Sequence, residues 1–349
     1  MPHGLLEVRG TIDLGQFWPS GRSDADTTTV VLKLAPDAIR FRKSDAAPFR
    51  ATHVFDDAIV KGRLGQRKPA IKNGHVTIRL QGIDAPELHF QPTALSKAEI
   101  GGLSQAKKDA FHELNHFYRQ LLGATSTKGL HDFLATSGAT IFDSRVLTQV
   151  DHPNEVFDTF GRLVGDIEIE KGGSPVNLNH WLVERGWAFP TYYSSMTNEE
   201  ITAVDTLAKA ARSKKLGVWK FLSKTVGTFD FTLREPKKND LSVLATDKGP
   251  VLFPKLYRRF TSWSARHKAK VINMPFQAFL AGGVGGKPDD CFEIADFLAN
   301  GVHSATRHTF DQFIQSGKTI KFEPGGLVFS EAVSKLFRPD GSQVPDKFF

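Results

Sequence analysis

The stretch Val76-Thr77-Ile78-Arg79-Leu80-Gln81-Gly82-Ile83-Asp84-Ala85-Pro86-Glu87 is the one that leaves a chain like this the fewest options. Val76, Ile78 and Leu80 alternate with Thr77, Arg79 and Gln81, the period-two pattern of a strand with one buried face. Arg79 is therefore carried by a sheet and not by a loop. Pro86 ends the strand and fixes the chain direction between Asp84 and Glu87. One guanidinium and two carboxylates at a strand end suit a cation plus an anionic substrate better than they suit a core.

Other segments read as partners for that strand. Leu5 to Asp13 alternates, and Thr27 to Leu34 is a β-branched run just after Asp24 and Asp26. Thr140 to Val150 and Leu163 to Ile169 complete a set of five strands, with Arg162 at the entry to the last. Five strands with a few helices is the count of an OB-type barrel, a fold that commonly binds oligonucleotides. Residues 35–75 form a polar insertion carrying Arg50, Lys61, Arg63, Arg67, Lys68 and Lys72. It is too long for a plain connection, and reads either as a solvated excursion or as a substrate-contacting arm.

Extra helices are expected over residues 104–137. Ser104 to Leu122 places Ala110, Phe111, Leu114, Phe117, Tyr118 and Leu121 on one helical face, and a short helix follows around Lys128 to Thr136. The first contains His112-Glu113-Leu114-Asn115-His116, a literal match to the zinc-protease pattern His-Glu-x-x-His. Both histidines fall opposite the apolar stripe, with Asp109 and Arg119, as on an ordinary solvated surface. Ser174-Pro175 predicts a helix start and Gly186 its stop. Thr197-Asn198-Glu199-Glu200 is a capping box opening a helix that runs to Lys215.

Five motifs, in order, carry a resemblance. They are Asp24-Ala25-Asp26-Thr27-Thr28-Thr29-Val30, the Arg79 to Glu87 stretch, and Asp158-Thr159-Phe160-Gly161-Arg162-Leu163-Val164. Val176-Asn177-Leu178-Asn179-His180-Trp181-Leu182-Val183-Glu184-Arg185-Gly186 and Lys215-Leu216-Gly217-Val218-Trp219 follow. Together they resemble the staphylococcal-nuclease-like (thermonuclease) family over about residues 5–221. The resemblance implies an α+β fold, an OB-type five-stranded β-barrel with packed helices. It implies Ca²⁺ on Asp26, Asp84 and the backbone carbonyl of Ala85, with Asp24 close behind. Glu87, Arg79 and Arg162 would be the catalytic trio. Tyr192 and Tyr193 lie where the family places tyrosines that cover base and sugar, or they form an exposed turn between two helices. Ala85 replaces the threonine of the best-known members, and Thr159-Phe160 their Lys-Tyr, which weakens a terminal-phosphate contact.

The residue types support that chemistry by themselves. Asp26 and Asp84 are hard oxygen ligands suited to Ca²⁺, and such a cation would polarise a phosphate oxygen and help deliver water. Glu87 is close enough to Asp84 in sequence to act as a general base on that water or to orient it. Arg79 and Arg162 offer forked donors to phosphate oxygens and stabilise charge as it develops. The reading is a calcium-dependent endonuclease acting on DNA, RNA or both. The alternative is a nucleic-acid-binding module that keeps the nuclease fold for docking. The presence of Arg79, Glu87 and Arg162 together favours catalysis.

The net charge of +7 favours polyanionic partners, and a single cysteine, Cys291, excludes an intrachain disulfide framework. No apolar run approaches a membrane span. Met1 to Glu7 lacks the regions of a signal peptide, which leaves a cytoplasmic chain or export by another route. A site of few carboxylates binds calcium weakly and suits extracellular concentrations, in tension with that reading.

The expected organisation is a domain over 1–222, a linker over 223–240 and an α+β accessory domain of unknown role over 241–349. In the last, Pro254 to Lys270 carries Lys255, Arg258, Arg259, Arg266, Lys268 and Lys270 without an acid, interleaved with Tyr257, Phe260 and Trp263. This predicts either a second nucleic-acid surface, with Lys255, Arg258 and Arg259 on substrate phosphates, or a helix with an aromatic core side and a basic outer face. Gly282 to Lys287 is similar to a phosphate loop, but Pro288 takes the place of the required Ser or Thr, so a turn is expected. Cys291 to Asn300 reads as a helix and Thr319 to Phe322 as a short strand.

Overall fold

The structure, a computed structural model, describes residues 4–61, 67–282, 288–331 and 334–349. Arg63 of the insertion and Gly283 to Lys287 of the glycine-rich turn lie outside the described residues. The chain forms two compact units, one of Met1–Gln81, Leu130–Leu182 and Glu331–Phe349, the other of Gly82–Gly129 and Val183–Ser330. The units interleave along the chain, and the division at 1–222, 223–240 and 241–349 stays a proposal.

The first unit is built on a closed barrel of five strands: β1 (Leu5–Asp13), β2 (Thr27–Leu32), β3 (His75–Leu80), β4 (Ile141–Gln149) and β5 (Leu163–Lys171). The order is β5-β3-β2-β1-β4, with β4 returning to β5. β1 pairs antiparallel with β4 along its whole length, from Leu5↔Gln149 to Asp13↔Ile141. β3 pairs antiparallel with β2 and parallel with β5, where Ile78 faces Leu163. Closure leaves the ring without a free edge. Leu6, Val8, Ile12, Val30, Val76, Ile78, Leu80, Val146 and Ile167 fill its interior, each at most 2% exposed. With Ile78 and Leu80 turned inward, alternation puts Arg79 on the other side of β3. The α+β, OB-type barrel expected from the sequence is thus the observed fold.

The insertion has structure of its own. Ile39–Arg42 pairs with β1, and Arg50–Ala51 with Ile39–Arg42. Ile59–Lys61 pairs with Arg67–Pro69 on one side and Lys335–Phe337 on the other.

One expectation in this unit needs correction. Ser174–Asn177 is a strand on β5, not the first turn of a helix, and the helix is Leu178–Glu184. Gly172 and Gly173 join the pair with φ of 60° and 77°, the left-handed angles of the two-residue hairpin turn that only glycine adopts freely. Pro175 stands on an edge strand, where its missing N–H costs nothing. Asn179, fully buried, then ties the barrel together. Its Oδ1 accepts from the Ile167 N–H at 3.1 Å, while its Nδ2 donates to the Gln81 carbonyl at 2.9 Å and to Asp166 Oδ1 at 2.7 Å.

In the second unit, helix α1 (Gln105–Leu114) ends earlier than its apolar stripe predicts, at Asn115. Beyond it Tyr118 exchanges backbone hydrogen bonds with Phe90 at 2.8 and 2.9 Å. Arg119, expected on a solvated face, is buried against Asp247 at 3.6 Å and the Thr246 hydroxyl at 3.1 Å. Strand pairing and a buried ion pair outweigh the helical pattern here. His116 therefore lies off the helix that carries His112, which removes the shared-face geometry of the zinc pattern. Another helix spans Gly123–Ala135.

Helix α2 (Asn198–Ser213) opens on the expected capping box, with Thr197 Oγ1 and the Glu200 carboxylate exchanging hydrogen bonds with each other's N–H. Helix α3 (Pro254–Lys268) begins with proline in its first turn. A four-stranded sheet runs Tyr192–Tyr193, Leu327–Phe329, Asp290–Glu293, His308–Thr309. Asp290–Glu293 is thus a strand where a helix is expected, and the helix is Ile294–Ser304. Phe253, Phe310, Phe322 and Phe329 pack beside the sheet with centroids 5.2–6.2 Å apart. Among the described residues no helix is long and apolar enough to cross a membrane.

Two predictions follow from Asn179 and its neighbour. Asn179→Ala strands the Ile167 N–H and the Gln81 carbonyl, so urea unfolding is expected to show a loss of about 2–4 kcal/mol. Enclosure, opposed by the Asn177 amide and reinforced by Glu168, pushes the Asp166 carboxyl up to about 6. A raised acid favours the folded state below its unfolded value of 3.8 and loses that contribution as pH rises through about 6. Between pH 4 and 7.5 the wild type should therefore lose roughly 2 kcal/mol relative to Asp166→Ala, and parallel curves for the two proteins would refute the assignment.

Candidate active site

In the barrel unit, register does the positioning. Thr27 of β2 faces Arg79 of β3, which brings Arg79 to Asp26, the residue that precedes β2. The Arg79 guanidinium pairs with the Asp26 carboxylate and donates to the Asp26 carbonyl at 3.4 Å. Their side chains are only 11% and 5% exposed, so the pair is shielded from solvent screening. Thr27 Oγ1 donates to Asp26 Oδ1 at 3.2 Å and accepts from Arg162 Nη1 at 3.2 Å. Asp24 closes the turn ahead of β2, its carbonyl accepting the Thr27 N–H. A continuous polar chain thus runs from Arg162 through Thr27 and Asp26 to Arg79.

Arg162 is held from behind as well. Asp158 Oδ2 accepts from its Nε at 2.8 Å and from its Nη2 at 2.7 Å, two donors converging on one oxygen. Asp158 Oδ1 accepts the Phe160 and Arg162 N–H groups, both at 2.9 Å, and so shapes the turn that delivers the arginine. Phe160, 60% exposed, lies beside the guanidinium at 5.5 Å. Neither Asp158 nor Thr27 was singled out for a role by sequence reasoning, although both stand inside the quoted motifs.

The second unit holds Asp84, Ala85 and Glu87. Gly82 takes φ of 74°, and a Cβ there would stand 2.8 Å from the Met196 methyl. This turn leads into Ile83–Asp84, which pairs with Phe189–Pro190. Asp84 is fully buried and Ala85 nearly so. The Glu87 backbone is clamped by Gln120, whose N–H donates to the Glu87 carbonyl at 2.7 Å and whose Oε1 accepts the Glu87 N–H at 3.3 Å.

Arg258 of α3 joins the two acids. Its Nη1 and Nη2 donate to Asp84 Oδ1 and Oδ2 at 3.0 and 2.8 Å, and Nη1 also donates to Glu87 Oε1. Burial alone would lower the pKa of this guanidinium. The facing charges of Asp84 and Glu87 outweigh it and hold the group well above the ordinary arginine value.

The other residues expected on substrate fare differently. Tyr192 is fully buried, with its hydroxyl donating to Asp205 Oδ1 at 3.4 Å. Its ring therefore offers no face to a base, which corrects the expectation of stacking there. Tyr193 is half-buried, with the Lys255 ammonium 5.6 Å from its ring. Lys255 and Arg259 share Asp289, at 3.6 Å for the lysine and 2.7–2.8 Å for the arginine. Arg266 is buried on Glu99 at 2.9 Å and on the Thr93 and Ala94 carbonyls. Each of these four cations is held by an acid of its own unit, and contact of Lys255, Arg258 and Arg259 with substrate phosphates stays a proposal. α3 is enclosed by its unit, and a charge taken out of water must be partnered. The partners are far away in sequence, with Asp84 removed by 174 positions from Arg258, so no local pattern announces them.

Among the described residues no group of three or more His, Cys, Asp or Glu side chains is arranged to hold a metal ion. Asp26 and Asp84 supply hard oxygen donors of the kind Ca²⁺ takes, so the donor chemistry fits. Each carboxylate is nevertheless already matched by a guanidinium, Asp26 by Arg79 and Asp84 by Arg258.

Residues 77–221 match the family model described as staphylococcal nuclease homologue. The match covers under half of the chain. It contains Arg79, Asp84, Ala85, Glu87, Arg162, Tyr192 and Tyr193, and excludes Asp24, Asp26 and all of α3. Over these residues the chain is similar to staphylococcal nuclease homologues. No curated protein matches the chain.

Asp158→Ala removes the acceptor of two Arg162 side-chain donors and the support of its turn. A stability loss of about 1–2 kcal/mol is expected, together with a clear fall in the NMR order parameter of the Arg162 Nε–H. An Arg162 side chain as rigid as in the wild type would show that Asp158 does not hold it.

Proposed function

We propose that this chain, with its staphylococcal nuclease homologue domain over 77–221, is a Ca²⁺-dependent endonuclease that hydrolyses DNA, RNA or both. The observation that carries the reading is the polar chain from Arg162 through Thr27 and Asp26 to Arg79 on the barrel. It holds two forked cations in fixed orientation before any substrate arrives, and preorganised charge of this kind is what phosphoryl transfer needs most.

Asp26, Asp84 and the Ala85 carbonyl would be the oxygen donors for Ca²⁺, with Asp24 in a supporting role. When bound, the ion supplies Lewis-acid stabilisation of a phosphate oxygen. Arg79 and Arg162 bind the non-bridging phosphate oxygens and stabilise the charge that builds on them. Glu87 accepts the proton of the attacking water at a carboxylate oxygen. Tyr193 packs against sugar or base, a sequence-tolerant contact.

A second reading is a nucleic-acid-binding module with little catalysis. It is favoured by the engagement of Glu87 and Asp84 by Arg258, since a carboxylate on a guanidinium is a poor base.

Digestion of single-stranded DNA, duplex DNA and RNA, with and without Ca²⁺, separates the two. The nuclease reading expects calcium-dependent cleavage that Glu87→Ala and Arg79→Ala each reduce by roughly 10²-fold or more. Binding without cleavage in Ca²⁺, Mg²⁺ or Mn²⁺ would leave the binding module as the function.

A further inference from the structure

We propose that Arg258 is a built-in competitor of the divalent cation, a side chain that occupies both oxygens of Asp84 and must leave before Asp84 can bind a metal. The proposal rests on the reading of Asp84 as a metal ligand.

The geometry that carries it lies within one unit. Asp84 is fully buried, and a carboxylate in that setting requires a cation. Arg258 supplies one through both of its terminal nitrogens. A divalent ion would seek the same lone pairs, so the two cations exclude each other at Asp84. The same guanidinium also holds Glu87, so its departure removes a partner that the ligand and the proposed base share, in one event. Metal occupancy and availability of the base are thereby coupled.

The moving part is a side chain. Leu256, Tyr257 and Phe260, on either side of Arg258 in α3, are at most 6% exposed and anchor the helix. The Arg258 side chain is 29% exposed and can turn outward with its backbone in place. By linkage, the apparent metal affinity equals the intrinsic one reduced by the fraction of molecules in which Asp84 is unclaimed. Removing the competitor must therefore tighten metal binding, whereas a merely structural arginine would weaken it by loosening the site.

The test is calorimetric titration of Ca²⁺ into the metal-free full-length chain, with thermal melts in its presence and absence. It compares wild type, Arg258→Gln, Arg258→Lys and Asp84→Asn. Arg258→Gln should bind Ca²⁺ at least about tenfold more tightly than wild type, melt earlier without Ca²⁺ and gain more from saturating Ca²⁺. Arg258→Lys keeps the charge but loses the fork, so it should fall between the two and decides the matter if the glutamine variant fails to fold. Asp84→Asn should abolish the binding. If Asp84→Asn abolishes binding while the Arg258 variants bind no more tightly than wild type, the competition is overturned and the metal reading stands. If none of the four proteins binds Ca²⁺, the metal reading falls and the competition with it.

Discussion

The parallel pairing of β3 with β5 is the constraint from which the barrel unit follows. Antiparallel pairs alone would leave β3 and β5 as two edges. Setting Ile78 against Leu163 turns the sheet into a ring. The same register brings Arg79 on β3 and Arg162 at the entry of β5 to the Asp26–Thr27 corner of β2. Asn179 reinforces that seam, since its amide reaches both the residue after β3 and the backbone of β5. Barrel closure and the placement of two cations are thus one event.

Charge in the second unit follows a different logic. α3 reads as a basic stripe, yet Lys255, Arg258, Arg259 and Arg266 each meet an acid from another element. Such pairs add little net stability, because the cost of desolvation nearly cancels the attraction. What they supply is specificity. An arginine that grips both oxygens of Asp84 adds a directional contact to the apolar residues that anchor α3.

All five barrel strands were legible because alternation at period two survives wherever one face is buried, and the motif residues stood at their ends. The hairpin at Ser174 was not, because Ser-Pro is a sound helix-start signal and only the preceding Gly172-Gly173 pair argued otherwise. Past Leu114 the apolar stripe gave way to Phe90 and Asp247, partners that no window of local sequence contains. For the site, the residue identities were readable but their pairings were not. Asp158 behind Arg162 was near enough to infer, whereas Asp289 behind Arg259 and Arg258 on Asp84 depend on contacts between distant segments.

The position of Arg258 bears on how this protein can be dissected. The segment that matches the family ends at residue 221, and the cation that balances Asp84 and Glu87 is contributed more than thirty residues further on. The recognisable module therefore does not contain every charged partner of its own acids. A fragment trimmed to the homologous boundary would keep two neighbouring negative side chains, one of them fully buried, and discard the guanidinium that they share. Its folding would then depend on ionic conditions in a way the intact chain's does not. The electrostatic surroundings of the matched segment thus extend past the end of the family match.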